Sequence, residues 1–180
     1  DQKYKIIFLA YYAATVYHAL QCMRTKKLQA PHYICFSGNG SRIIGFIDRD
    51  PSLKTLTAFT RILAEEVSGS RMKDLRIVLS KEPKQATCIG GIVRQKENDQ
   101  PIEAMIHLGG KKKNDAKGLT YDAVSDALKK DVQDNIKDFI NLFFDLNDQM
   151  SFHEYFGIEA DLVMCRSELQ KDIIHLISDG

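Results

Sequence analysis

The sequence predicts an α/β fold, a doubly covered layer of short, mostly parallel strands followed by a helical segment. Three observations carry this. Two nearly continuous apolar, β-prone runs, Tyr33–Phe36 and residues 75–79, have the character of strands covered on both faces. Helical spacing precedes, separates and follows them, giving helix, strand, helix, strand and helix up to Val93 with short connections. From about Leu119 onward the pattern is helical alone.

Between residues 5 and 26, Ile6, Leu9, Ala13, Val16, Tyr17 and Leu20 recur at helical spacing. Lys and Arg gather at the C-terminal end of this run, where cations suit the helix dipole. A break at Leu28-Gln29-Ala30-Pro31 leads into the first strand. Its end opens through Ser37-Gly38-Asn39-Gly40-Ser41 onto a short helix-compatible run from Arg42 to Ile47, and Asp48-Arg49-Asp50-Pro51-Ser52 is a turn cluster. Leu56, Phe59, Ile62, Leu63 and Val67 mark the next helix, with Gly69 placed to stop it.

The second strand ends at Ser80-Lys81-Glu82-Pro83, and residues 84–93 read as a helix containing Gly90 and Gly91. Two glycines inside a helix cost about 1 kcal/mol each relative to alanine, so another helix or a ligand must come close to that backbone. Residues 94–100 are loop-like, 103–108 alternate as an edge strand, and 109–115 form a basic loop. Val124, Leu128, Val132, Ile136, Phe139, Ile140 and Phe143 give a long amphipathic helix. Ser151 with Glu154 three residues later is a capping-box pattern, and Leu162, Leu169, Ile173, Leu176 and Ile177 give a C-terminal helix.

A chain of 180 residues with 44% hydrophobic and 27% charged residues is long enough to fold as one soluble unit without staples. A net charge of +1 argues against a dedicated nucleic-acid or membrane-surface partner. Cys22, Cys35, Cys88 and Cys165 lie far apart without a C-x-x-C pair, which predicts reduced thiols and a cytoplasmic setting. The apolar run from Ile6 to Leu20 falls short of the roughly 20 residues of a membrane span and is interrupted by Thr15 and His18. No signal peptide is expected. The abrupt ends at Asp1 and Gly180 predict a piece cut from a longer protein.

The Gly38-Asn39-Gly40-Ser41 turn is the candidate ligand site. Glycine has no Cβ, so the N–H groups of such a turn can approach a phosphate closely. The motif is neither a G-x-x-x-x-G-K-[ST] loop nor a dinucleotide fingerprint, for Ile43 stands where the third glycine would be. A ligand-free strand-to-helix turn stays open as the alternative.

Taken together, the segment from Tyr33 to Val93 resembles the second half of an actin-like ATPase domain, the superfamily of actin, chaperone ATPases and sugar kinases. The residues that carry the likeness are Ser37-Gly38-Asn39-Gly40-Ser41-Arg42 after the first strand, the second strand, and Glu82-Pro83-Lys84-Gln85-Ala86-Thr87-Cys88-Ile89-Gly90-Gly91. The resemblance implies a ribonuclease-H-like lobe at residues 1–118, three layers with a mostly parallel short sheet, and a helical extension at 119–180. It implies that Gly38, Asn39, Gly40 and Ser41 face the phosphates and ribose of ATP, that Arg42 covers the adenine ring, and that Gly90 and Gly91 mark a close helix approach. Asn39 departs from a family glycine but tolerates left-handed backbone.

The family's first phosphate hairpin and its Mg²⁺-holding acidic strand are absent from the 180 residues. Metal, phosphate cradle and oriented nucleophile are all needed for phosphoryl transfer. ATP with Mg²⁺ is therefore expected only together with a missing N-terminal lobe, and the chain alone is expected to be inactive, with no metal site of its own. The rival reading is a scaffold that keeps the lobe without nucleotide and engages a protein partner through its helical tail.

Asp48 and Asp50 are expected in a solvated turn that caps the next helix rather than on a metal. Lys111-Lys112-Lys113 lacks interleaved aromatics and reads as a solvated loop. His18, His32, His107, His153 and His175 are scattered without zinc spacing. Phe139, Phe143, Phe144, Phe152, Tyr155 and Phe156 are expected to be core.

Overall fold

The computed structural model describes residues 2–81, 124–159, 161, 166–168 and 171. In chain order the elements are helix α1 (Gln2–Thr25), strand β1 (Tyr33–Phe36), a 3-10 turn (Asn39–Arg42) running straight into α2 (Ile43–Ile47), α3 (Lys54–Ser68), β2 (Arg76–Leu79), α4 (Asp126–Met150) and α5 (Phe152–Tyr155).

α1 packs along α3. Leu9, Tyr12, Ala13, Val16 and Leu20 form the buried stripe of α1 and meet Leu56, Phe59, Leu63 and Val67 of α3 in one continuous core. Both helices end in left-handed residues. At α1 the residue is Lys27, with Leu28 N donating back to Met23 O at 2.9 Å; at α3 it is the expected Gly69, whose N–H reaches Glu65 O at 2.8 Å. Arg24 and Arg61 tie these helices to their surroundings by donating to the carbonyls of Val67 and Leu75.

α4 starts at Ser125, whose hydroxyl accepts the Leu128 N–H, and it brings Ile140, Phe143, Phe144 and Leu146 to the same core. Phe59 stands at the centre of the aromatic packing, edge-on to Phe143, Phe152 and Phe156 at 6.3, 5.0 and 6.0 Å between ring centroids. Of the aromatics expected in the core, Tyr155 alone is largely exposed. The expected capping box at Ser151 does not form. Ser151 is left-handed, and the side chain of buried Asn147 instead accepts the His153 N–H at 2.8 Å.

The three-layer, ribonuclease-H-like α/β lobe is overturned. The molecule is mostly helical, and among the described residues the sheet is one parallel pair, Tyr33↔Arg76 to Phe36↔Leu79. Nor is that pair covered on both faces. Ile34, Phe36, Ile77 and Leu79 turn to the helical core, while Tyr33, Cys35, Arg76 and Val78 face outward. Continuity of apolar character was the signal for two-sided burial, but Tyr, Cys and Val sit at alternate positions and leave a face that stays exposed. The expected helix at 84–93, edge strand at 103–108 and basic loop at 109–115 lie outside the described residues, as does most of the expected C-terminal helix.

α1 matches the helix expected between residues 5 and 26, but its apolar stretch is longer than the run from Ile6 to Leu20 that falls short of a membrane span. By length and composition its stretch from Tyr4 to Thr25 could cross a membrane, although 33% of the apolar window is buried in the fold.

Candidate functional site

β1 delivers the glycine turn at its C-terminal end. Gly38 has φ +79° and ψ 170°, a backbone state open to glycine and strained for other residues. Ser41 N then donates to Gly38 O at 3.1 Å, and the Ser41 hydroxyl donates to the same carbonyl at 2.8 Å. Ser41 is buried, and its side chain locks the turn rather than reaching outward. The Ile43 N–H returns to the carbonyls of Gly40 and Ser41, which turns the 3-10 segment into α2.

The opposite side of the turn is bare. Among the described residues nothing lies within 4 Å of where a Cβ would stand on Gly38 or Gly40, and Asn39, Gly40 and Arg42 are exposed. As at any helical start, the first N–H groups, here those of Asn39 and Gly40, have no earlier carbonyl within the helix to bond.

The parallel register adds two residues that the linear pattern did not single out. Phe36 pairs with Leu79, and Ser80 N donates to Phe36 O at 3.0 Å, so Ser80 and exposed Lys81 leave β2 at the rim where Ser37 and Gly38 leave β1. Ligands of parallel sheets gather beyond the carboxyl ends of the strands. The signal was therefore the pairing of the strands, which no local motif contains. Arg42 and Lys81 supply cationic groups, and the Asn39 and Gly40 amides supply donors. Gly90 and Gly91 lie outside the described residues.

A second, charge-rich recess of about 540 Å³ opens at the far end of α2 between Lys5, Phe46, Asp48, Arg49, Asp50 and Tyr155. Glu154 lines it as well, and the carboxylates of Asp48 and Asp50 are occupied by the chain itself. Asp48 caps α3 as expected, accepting the N–H groups of Asp50 and Leu56, both at 3.0 Å, but it does so buried rather than in the expected solvated turn, whereas Asp50 is exposed. Asp50 accepts the hydroxyl and N–H of Ser52, which holds its carboxyl below the ordinary value. Partial burial lowers the Lys5 ammonium, the nearby Arg49 lowers it further, and Asp48 opposes both. Among the described residues no three His, Cys, Asp or Glu side chains group as metal ligands.

Comparison of the chain with protein-family models, with curated proteins and with solved structures finds no match.

Proposed function

We propose that the turn at residues 38–42 binds the phosphates and base of ATP with Mg²⁺, as the nucleotide-holding part of a larger ATPase whose second lobe supplies the metal ligands. The observation that carries this reading is the bare glycine backbone at the carboxyl end of a parallel strand pair. Amide groups of Asn39 and Gly40 meet anionic oxygen there, and Lys81 at the same rim adds a cation. The exposed guanidinium of Arg42 offers a flat face for an adenine ring. The buried hydroxyl of Ser41 is assigned to holding the turn, so recognition runs through main chain rather than through that side chain.

Isothermal titration of Mg-ATP into the full-length protein and into its Arg42→Ala variant tests the reading. Affinity about tenfold weaker in the variant is expected, a loss of about 1.4 kcal/mol. Equal affinities would remove the adenine contact.

A second reading, a scaffold without nucleotide that engages a protein partner, is favoured by apolar surface. Leu128 and Val132 of α4 and Tyr4, Ile7 and Tyr11 of α1 are large, apolar or aromatic, and exposed. Absence of any Mg-ATP heat from the full-length protein would decide for it.

A further inference from the structure

A groove of about 690 Å³ runs between the C-terminal half of α1 and the N-terminal half of α4, with no glycine-turn residue in its lining. His18 and Cys22 lie on its α1 side, one helical turn apart, with Cys22 Sγ 3.7 Å from His18 Nε2. Spacing of four residues places two side chains on one helix face, so the helix itself holds the pair together. Cys22 is partly exposed and carries no disulfide. Arg24 and Lys26 line the same groove from the end of α1, and Asp138 lines it from α4. The fixed charges are thus two cations against one carboxylate. Phe139 and Ile136 give the groove an apolar wall.

We propose that Cys22 is a nucleophilic thiol that exchanges with small, carboxylate-bearing disulfides in this groove, with His18 as its base. A nucleophile in hydrogen-bond reach of a base is the arrangement that activates a thiol, because the base takes the proton as the sulfur attacks. In the exchange the Cys22 proton passes to His18 Nε2 and the Cys22 sulfur attacks one sulfur of the disulfide. The S–S bond of the ligand breaks as the bond to Cys22 forms. The Cys22 sulfur is oxidised, and the departing sulfur is reduced and takes the proton back from His18. Arg24 and Lys26 hold the carboxylates of the incoming disulfide.

Cys35 is the internal control. It is the more exposed thiol, lies on the outer face of β1, and makes no side-chain hydrogen bond among the described residues. The test treats the full chain with glutathione disulfide at neutral pH and follows mixed disulfides at each cysteine by peptide mass mapping. Cys22 is expected to react at least about tenfold faster than Cys35, and His18→Asn is expected to remove that advantage. Glutathione disulfide is expected to outpace the cationic disulfide cystamine at Cys22 and not at Cys35. The proposal is overturned if Cys22 reacts no faster than Cys35 or keeps its rate in the His18→Asn variant. If cystamine reacts faster at Cys22, the assignment of an anionic ligand fails.

Discussion

Tyr12 and Thr60 share one buried hydrogen bond of 2.7 Å, and proton counting sets its direction. Thr60 Oγ1 gives its single proton to Leu56 O, 2.6 Å away, so the Tyr12 phenol must be the donor. The two ends of the bond are then unequal. Tyr12→Phe removes a donor and leaves a hydroxyl that still donates to Leu56, for an expected cost of about 1 kcal/mol. Thr60→Val leaves the phenol proton buried without an acceptor, for about 2 kcal/mol. Denaturant midpoints of the two variants measure this, and a reversed order would refute the donor assignment.

Burial pushes the Tyr12 phenol above its ordinary value, because a phenolate would lose its hydration there. Below about pH 10 both folded and unfolded chains keep the proton and the site is neutral to folding. Above it the unfolded chain releases the proton while the folded chain holds it, so stability falls as pH rises. Between about pH 9 and about pH 11 the midpoint is therefore expected to drop further in the parent than in Tyr12→Phe. Parallel losses would show that Tyr12 does not titrate this way.

At the scale of the element, α3 shows how a helix start is satisfied from a distance. The residue before it, Leu53, has a left-handed backbone and no capping side chain. Asp48, eight residues ahead of Leu56, provides the acceptor instead, and its other oxygen holds the Asp50 amide. Asp48→Ala is expected to cost about 1–2 kcal/mol by thermal melting, and Asp48→Asn less, since one acceptor remains. A melt unchanged in Asp48→Ala would deny the cap. The capping role was legible in the cluster of Asp48 to Ser52. The pattern of Ser151 with Glu154 was not a guide, because Asn147 from the preceding helix reaches the open amide first. α1 was legible as a helix for a related reason. Its apolar residues run nearly all round, so periodicity marked the helix but left open that Tyr4, Ile7 and Tyr11 stay outside.

For the whole molecule, Phe59 links α3 to α4 and to the segment around α5. Its side chain is 1% exposed. Phe59→Ala is expected to cost about 3–5 kcal/mol in chemical denaturation, with a milder loss for Phe59→Leu, since three rings lose one shared partner. A cost under about 1 kcal/mol would mean that the helices do not share a core.

Much of this core was legible beforehand. Leu9, Ala13, Val16, Leu56, Phe59, Leu63, Ile140 and Phe143 stand at helical spacing and are all buried. The glycine turn was legible as well, for Gly38 takes the positive φ that its residue type permits.

What the sequence by itself determined is local: where helices run, which of their residues turn inward, and where the backbone bends at Gly38 and Gly69. Hydrogen-bond geometry within a helix and the steric freedom of glycine act over a few residues, so the order of residues is enough to express them. Only the tertiary structure decided that one face of the strand pair is exposed, that Lys81 leaves its strand at the rim where Gly38 leaves the other, and that Ser41 turns into the fold. Each of these depends on contacts between segments distant in the chain, where burial and pairing are settled by what packs alongside.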